Sequence, residues 1–463
     1  MKTAVVTADF SRKLKTKIKP LHGVNNSPMS LNNPPAGFKE AGIPFCRLHD
    51  TGGAFGGSRY VDIPNIFPDF DADPKKPESY DFAFTDAYLT QLHAAGTEIF
   101  YRLGVTIENN YRIKAYHNHP PKDFKKWAEI CAGVVRHYNC GWANGFKFGI
   151  KYWEIWNEPE NPPMWSGTRE QYFELYRIAS TRLKKEFPEI RVGGYASCGF
   201  YAVNRPGCTD FYQGFLTWYD EFLKFVTAKK THCPLDFFSW HLYTWDPQEI
   251  VLHARYVDSK LKEYGLTGVE NIFDEWNYLT KNLKRRYLEM KDNEGASFVA
   301  AAFCLMQDSP VDKAMYYDAY PQRAYCGLYH FPGPRTTQTY SAFFMWNQLY
   351  RLGGCCPART DGENVYACAA ANRTGKGLFI TSFNPESCRL TLDLKGAQLK
   401  EFTARIIDRR HDNAPFALKK AIVLPPYATL LLTTVKDVGT QAADLKVPAV
   451  HAGLDDAAAR KKK

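Results

Sequence analysis

The string Trp153-Glu154-Ile155-Trp156-Asn157-Glu158-Pro159-Glu160 sets a carboxyl group at the exit of an apolar run, beside a side-chain amide and among indoles. Further along, Phe273-Asp274-Glu275-Trp276-Asn277 places a second carboxyl at the exit of a second apolar run. Two carboxyl groups held across a sugar can break a glycosidic bond, one protonating the departing oxygen while the other attacks the anomeric carbon or activates water. The two groups must differ in state. A general acid keeps its proton near neutral pH only when it is partly desolvated or stands beside negative charge. Glu158 is therefore expected as acid and later base, and Glu275 as the neighbouring charge and nucleophile. Pro159 fixes the local backbone and restricts its predecessor, which should hold the Glu158 carboxyl in one direction. Glu154 reads as a paired acid facing the fold interior. Asp274 should point away from the cleft by strand alternation, and Glu160 should be solvated.

Such groups meet only if distant strand ends reach one face. Between Lys17 and Ala319 short apolar runs alternate with helical patterns. Strands are expected at Ile18–His22, Ile43–His49, Thr97–Gly104, Gly149–Trp156, Arg191–Ala196, Leu235–Tyr243, Asn271–Trp276 and Lys313–Asp318. Thr168-Arg169-Glu170-Gln171 fits a capping box, and Asp246-Pro247-Gln248-Glu249 supplies a cap, an N-terminal proline and a first-turn acid. Lys125–Tyr138, Phe211–Ala228 and Glu294–Met306 carry helical spacing. Eight strands with helical crossovers predict an α/β fold, a (β/α)8 TIM barrel, whose active site opens at the C-terminal ends of the strands. Glu158 follows the fourth strand and Glu275 closes the seventh, so both would reach that mouth from opposite sides.

After about Tyr350 short strands separated by polar or glycine-bearing turns predict an accessory β-sandwich. The expected organisation is an N-terminal strand over 1–16 belonging to that sandwich, a catalytic barrel over 17–345, the sandwich over 346–436 and a disordered tail over 437–463. The chain has 463 residues, a formal charge of +10 and twelve cysteines without CxxC spacing, which read as free thiols of a reducing compartment. The basic residues are scattered rather than interleaved with aromatics, so no nucleic-acid partner is expected. No apolar run approaches the roughly 20 residues of a membrane span. The expected location is cytoplasmic, with a secreted or periplasmic form left open should a leader have been removed. A homo-oligomer is also left open. GxGxxG, GxxxxGK[ST], HExxH and GxSxG are absent, so no cofactor, no metal and no serine nucleophile is expected.

Further residues fall where they can serve the pair. Arg47 and His49, alternating at the end of the second strand, face one way. Arg47 could orient the nucleophile bidentately, and His49 could contact sugar hydroxyls; a pair bracing the barrel is the alternative. Asp318, ending the eighth strand, either binds a hydroxyl or caps the next segment. Trp156, Trp165 and Trp276 read either as stacking platforms or as core, with Trp276 counted among the substrate contacts. His241 and Tyr243 share a face at the end of the sixth strand.

The Trp-Asn-Glu-Pro string after strand four, with Glu-Trp-Asn after strand seven, resembles clan A of the glycoside hydrolases, and the wider pattern resembles family 39, the β-xylosidase and α-L-iduronidase family. The resemblance covers Lys17 to about Val435. It implies Glu158 as acid/base, Glu275 as nucleophile, retention of configuration, and Asn157 on the hydroxyl next to the anomeric carbon. It further implies that Tyr243 donates a hydrogen bond to the nucleophile and that His241 frames the site. The expected activity is a retaining, exo-acting, β-xylosidase-like hydrolase of oligosaccharides or glycosides. The alternatives are the same machinery on another terminal sugar (β-glucoside, β-galactoside, arabinoside or uronic acid), a transglycosylase, or a non-catalytic carbohydrate-binding barrel.

Overall fold

The computed structural model describes residues 1–28, 37–51, 60–106, 117–331, 335–419 and 421–435. An N-terminal strand, β1 (Lys2–Asp9), precedes eight parallel strands that close into a barrel: β2 (Gly23–Asn25), β3 (Phe45–Leu48), β4 (Glu98–Leu103), β5 (Tyr152–Ile155), β6 (Arg191–Ser197), β7 (Phe237–Thr244), β8 (Glu270–Tyr278) and β9 (Lys313–Tyr316). Helices follow the strands, among them Phe124–Cys140, Arg169–Glu186, Asp210–Thr227, Pro247–Glu263, Asn293–Gln307 and Gln338–Leu352. The local signals explain where they begin. Thr168 and Gln171 exchange both bonds of a capping box. Asp246 accepts from the Gln248 N–H with Pro247 in the first turn.

The first barrel strand is not Ile18–His22 but the following segment, Gly23–Asn25. Glycine disfavours a strand by propensity, yet here the barrel interior requires it. A Cβ on Gly23 would lie 2.7 Å from the Ala314 carbonyl oxygen and 2.9 Å from Met315 Cγ. Gly193 is confined in the same way, 2.2 Å from the Phe237 carbonyl oxygen and 2.6 Å from its ring. The two glycines make room for an apolar plug of Phe45, Phe100, Tyr152, Phe237, Ile272 and Met315 on the other six strands. The plug seals the N-terminal end of the barrel, and polar layers lie above it.

Beyond the barrel come β10 (Cys355–Cys356), β11 (Ala358–Thr360), β12 (Val365–Ala371), β13 (Lys376–Ser382), β14 (Cys388–Lys395), β15 (Thr403–Ile407), β16 (Ala414–Phe416), β17 (Ile422–Leu424) and β18 (Ala428–Thr433). They form a four-stranded sheet in the order β11-β1-β14-β17 and a six-stranded sheet in the order β10-β12-β13-β18-β15-β16. The N-terminal strand β1 pairs parallel with β14, from Lys2 opposite Cys388 to Asp9 opposite Lys395. The six-stranded sheet is apolar on both faces. Leu378, Ile380, Leu430 and Leu432 face the smaller sheet, whereas Tyr366, Cys368, Phe379 and Leu431 join the core of the barrel helices. Thr381 Oγ1 donates to the Ser297 carbonyl across that junction.

The twelve cysteines are free thiols, most of them buried. Among the described residues no helix is long and apolar enough to cross a membrane. The tail expected to be disordered, 437–463, lies outside the described residues.

The plug yields a test. Gly193→Ala should destabilise the protein by about 1–3 kcal/mol, because the added methyl has no space beside Phe237. Guanidinium unfolding measures this, and an unchanged midpoint would contradict so tight a fit between β6 and β7.

Candidate active site

Above the plug the barrel holds a buried cation. Arg47, on β3, has no solvent exposure. Its Nη2 lies 2.7 Å from Glu154 Oε2 on β5, its Nε 3.0 Å from Asp274 Oδ2 on β8, and its Nη1 3.0 Å from Glu275 Oε2. Arg47 also donates to Asn157 Oδ1 at 2.7 Å and to Asn25 Oδ1 at 3.1 Å. The contacts come from β2, β5, the exit of β5 and β8, so one guanidinium fixes the relative positions of the pieces. It braces Glu275 through one nitrogen, not bidentately, because its other donors are engaged elsewhere.

The two acids beneath Glu275 differ in state. Burial pushes the Asp274 carboxyl well above the usual range, and the Glu154 charge adds to this. Burial would also raise Glu154, but Arg47, Asp274 and Ser239 outweigh it and hold Glu154 low. The pair therefore carries one proton, on Asp274, and Glu154 is the ionised partner of Arg47. Asp274 does not point away from the cleft. β8 bulges at this point: Trp240 pairs with Phe273 but His241 pairs with Glu275, skipping Asp274. The extra residue breaks alternation, so Asp274 and Glu275 both enter the barrel interior.

Glu275 Oε1 accepts from Tyr243 OH at 2.7 Å while Oε2 faces Arg47. Both of its oxygens thus meet donors. Glu158 follows β5, and its Oε1 lies 2.7 Å from His241 Nδ1. Asn161 Nδ2 donates to its other oxygen at 2.9 Å. The Glu158 backbone has φ +45° and Trp156 has φ +77°, left-handed conformations that are strained for side-chain-bearing residues and that Pro159 disfavours further at Glu158. The Glu158 N–H donates to the Ala196 carbonyl at 3.0 Å, tying the strained turn to β6. One oxygen of Glu158, one of Glu275 and a ring nitrogen of His241 all lie within 4.8 Å of one another.

Burial alone would push Glu158 up. The His241 hydrogen bond and charge, Asn161 and the Arg47 charge outweigh burial and hold it below the usual carboxylate range. This is opposite to the sequence expectation. The Glu275 charge is already met by Arg47 and Tyr243, so at Glu158 the partner that dominates is His241.

The remaining expected residues divide. His49 is buried beside this array with its Nε2 3.4 Å from Asp50 Oδ2. Asp318 is buried and accepts from Asn26 Nδ2 at 3.0 Å and Gln322 Nε2 at 3.1 Å; burial pushes it up to about 7. Trp276 is not a substrate contact. It is fully buried and packs outward on Phe273, Phe303 and Tyr316. Trp156 and Trp165 are core residues too, with ring centroids 4.9 Å apart. Glu160 is not solvated: it is buried, accepts from Ser197 Oγ and the Cys198 N–H at 2.8 Å each, and is pushed up to about 8 by burial and the Glu158 charge. Sequence reasoning missed Asn25 and Asn26, since the strand was expected five residues earlier. It also passed over Trp245, which stands exposed immediately after β7.

Glu158, His241 and Glu275 are the one set among the described residues with spacing for a metal ion. Their contacts suit protons better: Glu275 is held by a guanidinium and a phenol, and Glu158 by an imidazole and an amide.

A family model, glycosyl hydrolases family 39, matches residues 64–292. Over that span the chain is a glycosyl hydrolase family 39 sequence. The family 39 match takes in β4 to β8 and both glutamates, while Arg47, His49 and Asp318 lie outside it. Over 131 residues the chain is 31% identical to a β-xylosidase of Geobacillus stearothermophilus, covering 27% of this chain and 22% of that protein. The chain thus matches less than a quarter of that relative's length. The family 39 fold here is shared almost throughout with a glucosidase from Croceicoccus marinus (TM-score 0.70, 20% identity, 93% of this chain and 98% of that one). It is likewise shared with a monomeric β-xylosidase from Caulobacter crescentus CB15 (TM-score 0.65, 16% identity, 93% and 99%). At these identities the likeness is one of fold.

The Arg47 cluster predicts a non-additive pair. Arg47→Met should cost roughly 3–5 kcal/mol of stability, because it strands buried carboxylates. Adding Glu154→Gln should recover part of that loss. Denaturant titration of both variants checks this, and a nearly neutral Arg47→Met would show that the guanidinium does not brace the barrel interior.

Proposed function

We propose that this protein is a retaining, exo-acting glycoside hydrolase, β-xylosidase-like in its terminal sugar. The observation that carries the reading is the pair of buried glutamates at the C-terminal mouth of the barrel, their nearest oxygens within 4.8 Å, each held by a different kind of partner. So short a separation favours direct attack, since inverting enzymes leave roughly 6.5–9.5 Å for a water. The names of the matched relatives favour xylose as the sugar.

In the proposed cycle the Glu275 carboxylate, oriented by Arg47 and Tyr243, attacks the anomeric carbon. Glu158 transfers its proton to the glycosidic oxygen as that bond breaks. The covalent glycosyl-enzyme removes the Glu275 charge. Glu158, now a carboxylate, takes a proton from water as the water oxygen attacks the same carbon and frees Glu275. His241 is the proton partner of Glu158 in both steps. Asn157, whose Oδ1 is fixed by Arg47, is placed to offer its amide N–H to the neighbouring hydroxyl. His49 and Asp318, buried beyond the pair, support a pocket that encloses one terminal sugar. Each also has a buried polar atom, His49 Nδ1 and Asp318 Oδ1, that makes no hydrogen bond among the described residues.

Glu275→Ala should abolish turnover of nitrophenyl β-xyloside, and azide should restore some of it as the inverted glycosyl azide. Glu158→Ala should spare substrates with good leaving groups more than natural ones. Hydrolysis that survives the first change undiminished would sink the mechanism; equal losses on both substrate types in the second would remove the acid role.

The pH profile gives a separate check. The folded environment depresses Glu158, chiefly through His241 once burial is overcome. In His241→Gln that lowering is lost while burial remains, so the Glu158 proton is held to higher pH. The basic limb of kcat/KM should move upward. A limb that stays put or moves downward would assign it to another group.

A further inference from the structure

The rim on the Glu158 side of the mouth combines an exposed ring with cations. Trp245 is 41% exposed. The Arg205 guanidinium lies 5.2 Å from its ring centroid and the Lys281 ammonium 4.7 Å. Arg205 is anchored: it donates to both Glu249 oxygens and to the Tyr243 carbonyl, and it lies 4.5 Å over Tyr201. Lys281 is placed differently. It belongs to the segment after β8, where 279–291 contains Lys281, Lys284, Arg285, Arg286 and Lys291 against a single acid, Glu289. Arg285 already approaches that acid at 3.4 Å. The segment therefore brings uncompensated positive charge to the cleft edge.

The position of this rim relative to Glu158 decides its role. Asn161, which holds Glu158, also donates to Cys198 Sγ at 3.4 Å. Cys198 stands three residues before Tyr201, and the Tyr201 hydroxyl accepts from the Tyr243 N–H. Tyr201, Arg205 and Trp245 thus flank the cleft where the acid meets the leaving group. An exposed indole offers a face for a sugar or aromatic ring, and a neighbouring ammonium favours a carboxylate on that ring.

We propose that Trp245, Arg205 and Lys281 form an aglycone subsite for a ring that bears a carboxylate. This inference rests on the hydrolase reading above and names the class of leaving group it would accept. The ring stacks on Trp245, Lys281 swings from the indole to the carboxylate, and Arg205 keeps the platform in place through its bonds to Glu249.

The test uses matched non-hydrolysable thioglycosides of whichever sugar a nitrophenyl glycoside panel selects. One arm pairs a 4-carboxyphenyl with a 4-carbamoylphenyl aglycone, and the other pairs a glucuronic acid with a glucose aglycone. Titration calorimetry on the full chain should show the acidic member binding about tenfold more tightly in at least one arm. The preferred arm tells an aromatic acid from an acidic sugar. That preference should shrink in Lys281→Met and with added salt. Affinity ratios near one in both arms, or a preference that survives both changes, would overturn the subsite. A panel with no turnover at all would instead overturn the hydrolase reading, and this inference with it.

Discussion

A guanidinium without solvent exposure has to be answered by buried acceptors, and Arg47 draws them from four separate parts of the barrel. Its charge is what allows Glu154 to remain ionised in an interior that otherwise favours the neutral form. The same constraint runs in reverse, because the carboxylates make burial of Arg47 tolerable. Whether such a cluster adds net stability is secondary. Its effect is to set where Glu275 and Asn157 stand, since both are held by the same planar group.

The layers along the barrel axis separate tasks. Six large apolar side chains and two glycines close the floor. The ionic layer of Arg47, Glu154, Asp274 and Asn25 rests on that floor, and Glu158, His241, Tyr243 and Glu275 rest on the ionic layer. The strained turn at Glu158 is held by a backbone bond to Ala196 and by the side-chain contacts of Glu158 to His241 and Asn161. Such strain persists where the surroundings over-determine the conformation.

Much of this was legible because barrel strands and capped helices leave strong local signals. Alternation placed Arg47 and His49 together, and His241 and Tyr243 together, because β3 and β7 are regular over those residues. It failed at Asp274, where β8 carries a bulge that a pattern of residue types does not announce. It failed at Gly23 for a different reason: glycine reads as a turn, whereas here the requirement is for space against Met315, set by a strand about 290 residues away. Trp276 and Glu160 failed through burial. A tryptophan beside a candidate nucleophile invites a stacking role, yet the period of two turns it onto the helices, and a carboxylate in a loop is solvated unless tertiary packing closes over it, as Ser197 and Cys198 do over Glu160.

Glu160 bears on the chemistry of its neighbour. It has no cationic partner among the groups that shift it, and burial keeps it protonated to about 8. A neutral Glu160 adds no repulsion to Glu158 across the neutral range, so the state of Glu158 there is set by His241, Asn161 and Arg47. The Glu158 charge in turn helps to keep Glu160 neutral. The two glutamates of one short turn are thus coupled with opposite outcomes: the charge sits on Glu158, where His241, Asn161 and Arg47 favour it, and the proton stays on Glu160, where burial does.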